Sequence, residues 1–303
     1  MLPKLEGYAA ALLGAVDKGT LTTVVGELDS LERAVLAQPQ LRGMLSDTSL
    51  TGVVRGRVFS DLLEGKVHLE TRRVAVYAAL VAPAQEVAPA IGELAQAALA
   101  LEETGAFYQR NLGLLAARKR VAGFADAVLE ELDTADFAQI EDDLFRWART
   151  VEDNIELRRI LLDRDAPLDS RLGLVDQLLS GKVSATSLQL ARFVVEGGRP
   201  RDVVGTLDFV VDYVAEARNW RVARVFTARP LDEASQDELI RSLSALTGTS
   251  VELQIADESD LLGGVLVEVG DVRLDASTRG RLAALHDSVS SGHFYETAMN
   301  RND

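Results

Sequence analysis

Two short stretches invite a nucleotide-binding reading: LLEGKV, residues 62–67, and LLSGKV, residues 178–183. In a phosphate-binding loop, backbone N–H groups cradle phosphates, a lysine reaches the outer ones and a hydroxyl holds magnesium. Such a loop needs a glycine five residues ahead of its second glycine and a Ser or Thr after the lysine. Those positions hold Ser60 and Val67 in the first stretch, Asp176 and Val183 in the second, so both fail. Gly263–Gly264 lacks the Gly-x-Gly-x-x-Gly spacing ahead of a helix and reads as a tight bend or bulge at a strand start. His68, His286 and His293 stand apart, without acids at ligand spacing, and nominate no metal site. The acids of IEDDLFRW, from Ile140, read as the solvated face of a helix. Asp275 and Ser277 read as a helix cap, with Ser277 at or near the N-cap. Trp147 and Trp220 read as core or domain-junction anchors rather than ligand stackers. No Ser–His–Asp set emerges, so the residues nominate no catalytic group, no cofactor and no metal.

Composition points the same way. The 303 residues carry 47 acids against 32 bases, a net charge of −15. Nucleic-acid binding needs a basic face, and docking by charge onto an anionic membrane needs basic clusters, so both are disfavoured. There is no cysteine, hence no disulfide and no thiolate metal site. No stretch approaches the ~20 apolar residues of a membrane span, and MLPKLEGYAA lacks the pattern of a signal peptide. Direct membrane insertion is therefore not expected. Aromatics are only 5%, with 7 prolines, a composition suited to packed helices.

The two GKV stretches are one feature repeated 116 residues apart. At that offset, with no gap, Leu41 lies over Leu157, Arg42 over Arg158, Asp47 over Asp163, Arg55 over Arg171 and Gly65 over Gly181. Periodicity agrees: Leu21, Val24, Leu28, Leu31 and Val35 share the 3, 4, 3, 4 spacing of Phe137, Ile140, Leu144, Trp147 and Val151. Each set forms one face of an amphipathic helix. The punctuation repeats as well, with Gly65 and Gly181 placed to end a helix in the left-handed conformation. The expected architecture is mostly α: two tandem six-helix bundles, residues 1–105 and 106–218, then a small α/β module, residues 219–303. FYQRNLGLLAARKR, between the bundles, is expected to continue as helix. In the module, VARVFTA and VELQIA read as strands around the helix LDEASQDELIRSLSALTG. GGVLVEVGDVRLDAS reads as two short strands about a Gly270–Asp271 turn, and TRGRLAALHDSV as a closing helix.

Those residues carry a resemblance. From Val222 to Leu285 the chain resembles the δ subunit of bacterial F-type ATP synthases, the family of the mitochondrial oligomycin-sensitivity-conferring protein. The pattern is a strand ending before Pro230–Leu231, a helix, a strand, Gly263–Gly264, alternating apolar residues, Gly270–Asp271, then Asp275, Ser277 and Arg279 ahead of a basic helix. GFADAVLEEL and LRRILLDRDAPLDSRLGLVDQLLSGKVS resemble the family's helical domain, and residues 1–101 read as a second copy of it. The resemblance implies a non-catalytic stator subunit in the peripheral stalk. It would lie on the cytoplasmic face of the bacterial membrane, attached through its partners. Those partners would be the N-terminal segments of the α subunits, docking helix-in-groove on the helical part, and the end of the b stalk subunit on the module. The extra copy departs from the family's single helical domain, and duplicated forms of that kind include δ parts fused behind a b segment. The competing reading is a helical-repeat adaptor or scaffold with an unrelated α/β tail.

Overall fold

The computed structural model describes residues 1–105, 112–130, 132–163, 165–197, 202–228, 230–247, 251–257, 263–269 and 272–275. It is mostly helical, with a small four-stranded sheet near the C-terminus, and divides into two compact units, Met1–Val214 and Ala215–Asp303.

The first unit opens with α1 (Pro3–Leu13), α2 (Lys18–Ala37), α3 (Pro39–Leu45), α4 (Gly52–Leu63), α5 (Leu69–Val81) and α6 (Val87–Thr104). Then come α7 (Leu114–Leu129), α8 (Thr134–Asp153), α9 (Ile155–Leu162), α10 (Leu168–Leu179), α11 (Ala185–Gly197) and α12 (Val203–Arg221). From α2 to α6, every helix has a counterpart starting 116 residues later, as Lys18 and Thr134, Gly52 and Leu168, Leu69 and Ala185 illustrate. Local chemistry repeats with the bounds. Asp17 caps α2 by accepting from the N–H groups of Gly19 and Thr20, whereas Asp133 holds the N-cap position of α8 without such a bond. Gly65 and Gly181 take φ of 67° and 73°, the left-handed conformation that lets the chain leave α4 and α10 without a Cβ clash. The α2 stripe (Leu21, Val24, Leu28, Leu31, Val35) and the α8 stripe (Phe137, Ile140, Leu144, Trp147, Val151) are both buried.

Two sequence expectations change here. The helix into the second set of bundle helices does not run on from α6. Gly105, at φ 71°, closes α6 with its N–H on the Leu101 carbonyl, and α7 begins at Leu114; residues 106–111 lie outside the described residues. Identical pairs of the repeat read as interior-type positions, yet Leu62, identical to Leu178, is exposed.

In the second unit, β1 (Val222–Thr227) and β2 (Glu252–Asp257) run parallel, joined through α13 (Glu233–Thr247), the crossover that a parallel pair requires. β3 (Val265–Val269) pairs antiparallel with β1 and with β4 (Val272–Asp275), giving the order β2-β1-β3-β4. Alternation sends Ala223, Val225, Val267 and Val269 to one face, where they pack with Leu243 and Val251, while Arg224 stays exposed. Asp232 starts α13 by accepting from the Ser235 N–H at 2.9 Å, and this bond, with that from the Ser235 hydroxyl, holds its carboxyl below the usual range.

Candidate docking groove

The helical unit carries a groove of about 520 Å³ between α8, α9 and α10. Its apolar wall comes from Trp147, Leu157, Ile160, Leu174, Leu178 and Val183, and its rim from Arg146, Glu156 and Lys182. The local sequence builds it stepwise. Asn154 ends α8, and its side chain accepts from the Leu157 N–H at 3.0 Å, which starts α9 at an angle to α8. Gly181 and the Lys182 N–H on the Leu179 carbonyl (2.9 Å) close α10 beside it. The helices are held open on one side, and Ile160 and Leu178 remain partly accessible there.

Two buried polar groups shape this region. Trp147 is 3% exposed, and its indole N–H has no acceptor among the described residues. A buried donor left unpaired costs about 1–3 kcal/mol. At the corresponding position of α2 stands Leu31, which has no such donor. Asp143 is 2% exposed, which corrects the reading of the IEDDLFRW acids as a solvated face. Its carboxylate accepts from the Ser184 N–H (2.9 Å), the Ser187 hydroxyl (2.9 Å) and Arg146 (2.8 Å). It thus satisfies the start of α11 from α8, where helix N–H groups have no intrahelical partner. Glu27 does the same for α5, accepting from the His68 N–H and the Thr71 hydroxyl. Position alone marks that role: Glu27 and Asp143 are 116 residues apart, as are His68 and Ser184, and Thr71 and Ser187.

The family-pattern residues fall elsewhere, in the second unit. Pro230 is exposed just after β1, and Leu231 packs partly against the sheet core. Gly263 and Gly264, at φ 147° and 81°, form the bend that leads into β3, a backbone path open to glycine. Asp275 is the last residue of β4, opposite Leu266, and exposed. Gly270, Asp271, Ser277 and Arg279 lie outside the described residues, as do His286, His293 and the expected closing helix. The side chain of Trp220 is likewise outside what is described. His68 sits at the N-cap of α5 with its ring against Glu70. Among the described residues no group of His, Asp and Glu could hold a metal, and no helix is long and apolar enough to cross a membrane.

A helical unit with an apolar groove is followed by a small module with a four-stranded sheet. The family model "ATP synthase delta (OSCP) subunit" matches residues 121–289. The chain is 31% identical to the ATP synthase subunit delta of Rhodococcus opacus over 95% of its length and 96% of that protein. It is 32% identical to that of Streptomyces avermitilis over 84% and 94%, and 29% identical to that of Salinispora arenicola over 92% and 93%. The chain belongs to the ATP synthase delta (OSCP) subunit family.

Proposed function

We propose that this chain is a non-catalytic stator subunit of an F-type ATP synthase. It would tie the catalytic head to the b stalk, so that rotor torque is converted into nucleotide chemistry rather than into rotation of the head. The observation that carries the reading is the near full-length similarity to proteins named ATP synthase subunit delta. The work asked of such a subunit is mechanical, and grip under load calls for slow dissociation more than for chemistry.

In this reading the helical part is two copies of a six-helix bundle, residues 1–105 and 106–218, and residues 219–303 form the module that meets the b subunit. The protein works at the cytoplasmic face of the bacterial membrane, held there by its partners. The α8–α10 groove receives an amphipathic N-terminal segment of an α subunit. That segment lays apolar side chains on Leu157, Ile160 and Leu178 and gives an acceptor to the Trp147 indole.

Calorimetric titration with a synthetic α-subunit N-terminal peptide, about twenty residues for one helix in one groove, tests this. Saturable binding that Trp147→Phe weakens and Leu31→Phe leaves intact is the expected result. Binding indifferent to both substitutions would move the head contact away from this groove. Absence of binding by the folded chain, together with failure to co-purify with α, β and b subunits, would favour the adaptor reading.

A further inference from the structure

Residues 1–120 lie outside the family-model match, yet they are closely built onto it. Helix α1 packs along α7 at backbone distance. A Cβ added to Gly7 would fall 1.7 Å from the Arg120 carbonyl oxygen, and one added to Gly123 would fall 1.8 Å from the Lys4 carbonyl oxygen. Gly7 and Gly123 are 116 residues apart, and so are Lys4 and Arg120. The contact is reciprocal in the way of a twofold dimer, where residue i meets j and j meets i. Aromatic pairs repeat on the same rule. Tyr8 stacks on Tyr77 at 3.7 Å between ring centres, and Phe124 stacks on Phe193 at 3.9 Å.

The polar contacts break this symmetry. Asp126 on α7 takes Lys4 at 3.0 Å, the Tyr77 hydroxyl, and the Tyr213 hydroxyl at 2.5 Å. Glu130 takes the Tyr8 hydroxyl at 2.9 Å and Arg73. The positions 116 residues before Asp126 and Glu130 hold Ala10 and Gly14. Those 116 residues after Tyr8, Arg73 and Tyr77 hold Phe124, Gln189 and Phe193. On this side of the pseudo-axis the acids stand in the second half, and Lys4, Tyr8, Arg73 and Tyr77 reach them from the first, while Tyr213 reaches Asp126 from within the second half. Across the pseudo-axis, Arg120 lies 5.5 Å from the centre of the Phe193 ring and 3.5 Å from Glu6, a buried ion pair.

We propose that the first half is a built-in partner of the second. The α1–α7 surface is a twofold self-recognition surface that has become heterotypic, so each half accepts the other half of its own chain and rejects a copy of itself. A pair of first halves would set Tyr8, Arg73 and Tyr77 against Ala10 and Gly14, with no acceptor. A pair of second halves would set Glu130 against Phe124 and Gln189, with no hydroxyl or guanidinium, and Asp126 against Phe193, leaving it Tyr213 of its own half and the Arg120 that takes the place of Lys4. Unpaired polar groups at a packed interface are the repulsive element that specificity requires. The α7 face is therefore permanently occupied, and external helices are left to other surfaces. This inference does not depend on what the α8–α10 groove binds.

The test exchanges the characters of the halves in the full chain. D126A/E130G removes the acids, and Y8F/R73Q/Y77F removes the groups that reach them. Each set alone is expected to lower the urea midpoint, and the five substitutions together to lower it by less than the sum, because the groups that meet each other are removed together while Lys4 and Tyr213 alone stay without Asp126. Losses that simply add would overturn the proposal. Should either set fail to fold, G123A forces α1 from α7 without altering a polar group. Hydrogen exchange should then quicken in α1, α5 and α7 relative to α9 and α10. Unchanged protection of α1, α5 and α7 would equally overturn it.

Discussion

Single residues in this protein are committed by what surrounds them more than by their type. Asp142 and Asp143 are neighbours on α8, yet the Asp142 side chain is 65% exposed and that of Asp143 only 2%. Removing the Asp143 carboxylate leaves the Ser184 N–H and the Ser187 hydroxyl without their acceptor. Asp143→Ala should therefore cost about 1–3 kcal/mol in urea unfolding, while Asp142→Ala should stay within about 0.5 kcal/mol. Equal effects would show that the Asp143 cap contributes nothing. Tyr8 and Tyr77 make a second case. Burial first, then the charges of Glu130 and Asp126 respectively, push both phenols well above their ordinary value. The folded chain keeps protons there that the unfolded chain releases near pH ~10. Their contribution to stability is whole below that pH and falls as pH rises through and beyond it. Phenolate absorbance should accordingly rise for the accessible tyrosines first, with Tyr8 and Tyr77 following only as the chain unfolds. Replacing both by phenylalanine should remove that late step; a late step that persists would place it elsewhere.

At the scale of elements, the repeat was readable wherever one residue type does one local job. The spaced apolar stripe predicts α2 and α8, and both bury it. Gly65 and Gly181 predict two left-handed helix ends, and both appear with open space around the missing Cβ. Gly65→Ala and Gly181→Ala should then each cost about 1–2 kcal/mol of backbone strain, with no steric term added. Urea unfolding of each would show it, and a loss near zero would mean the turn can re-form around alanine. The same reasoning missed other features. Gly7 and Gly123 look like ordinary helical glycines in sequence, because nothing local reports that another backbone passes over them. Glu6 and Arg120 look like surface charges, yet both are nearly fully buried as an ion pair. The groove is not legible either: the stripe that supplies Trp147 matches the one that supplies Leu31, and the cleft that Trp147 lines is set by tertiary packing. The expected helix over residues 107–120 forms from Leu114, as α7, but is not continuous with α6, which the positive φ of Gly105 ends.

For the whole molecule, the sequence pattern alone leads one to expect that deleting residues 1–105 leaves a folded remainder that still resembles a single-copy relative. The packing adds a cost in stability. Residues Met1–Val214 form one compact unit, and Ala127 of α7 belongs to the core built by α1–α6. Deletion would take Glu6 from Arg120, Lys4 and Tyr77 from Asp126, and Tyr8 and Arg73 from Glu130. Arg120, 2% exposed in the full chain, would lose its carboxylate partner, and breaking a buried pair by removing one member is strongly destabilising unless water can reach the other. Here water can reach it, because deletion uncovers the face, so the cost shifts to the apolar area around Gly123 and Ala127. That area returns to solvent at about 25 cal/mol per Å². A chain beginning at Asn111 should keep its helical circular dichroism, unfold at a lower urea concentration than the full chain, and stay monomeric in light scattering, because the second half does not accept a copy of itself. Equal urea midpoints would mean that the first half sits on the second without supporting it.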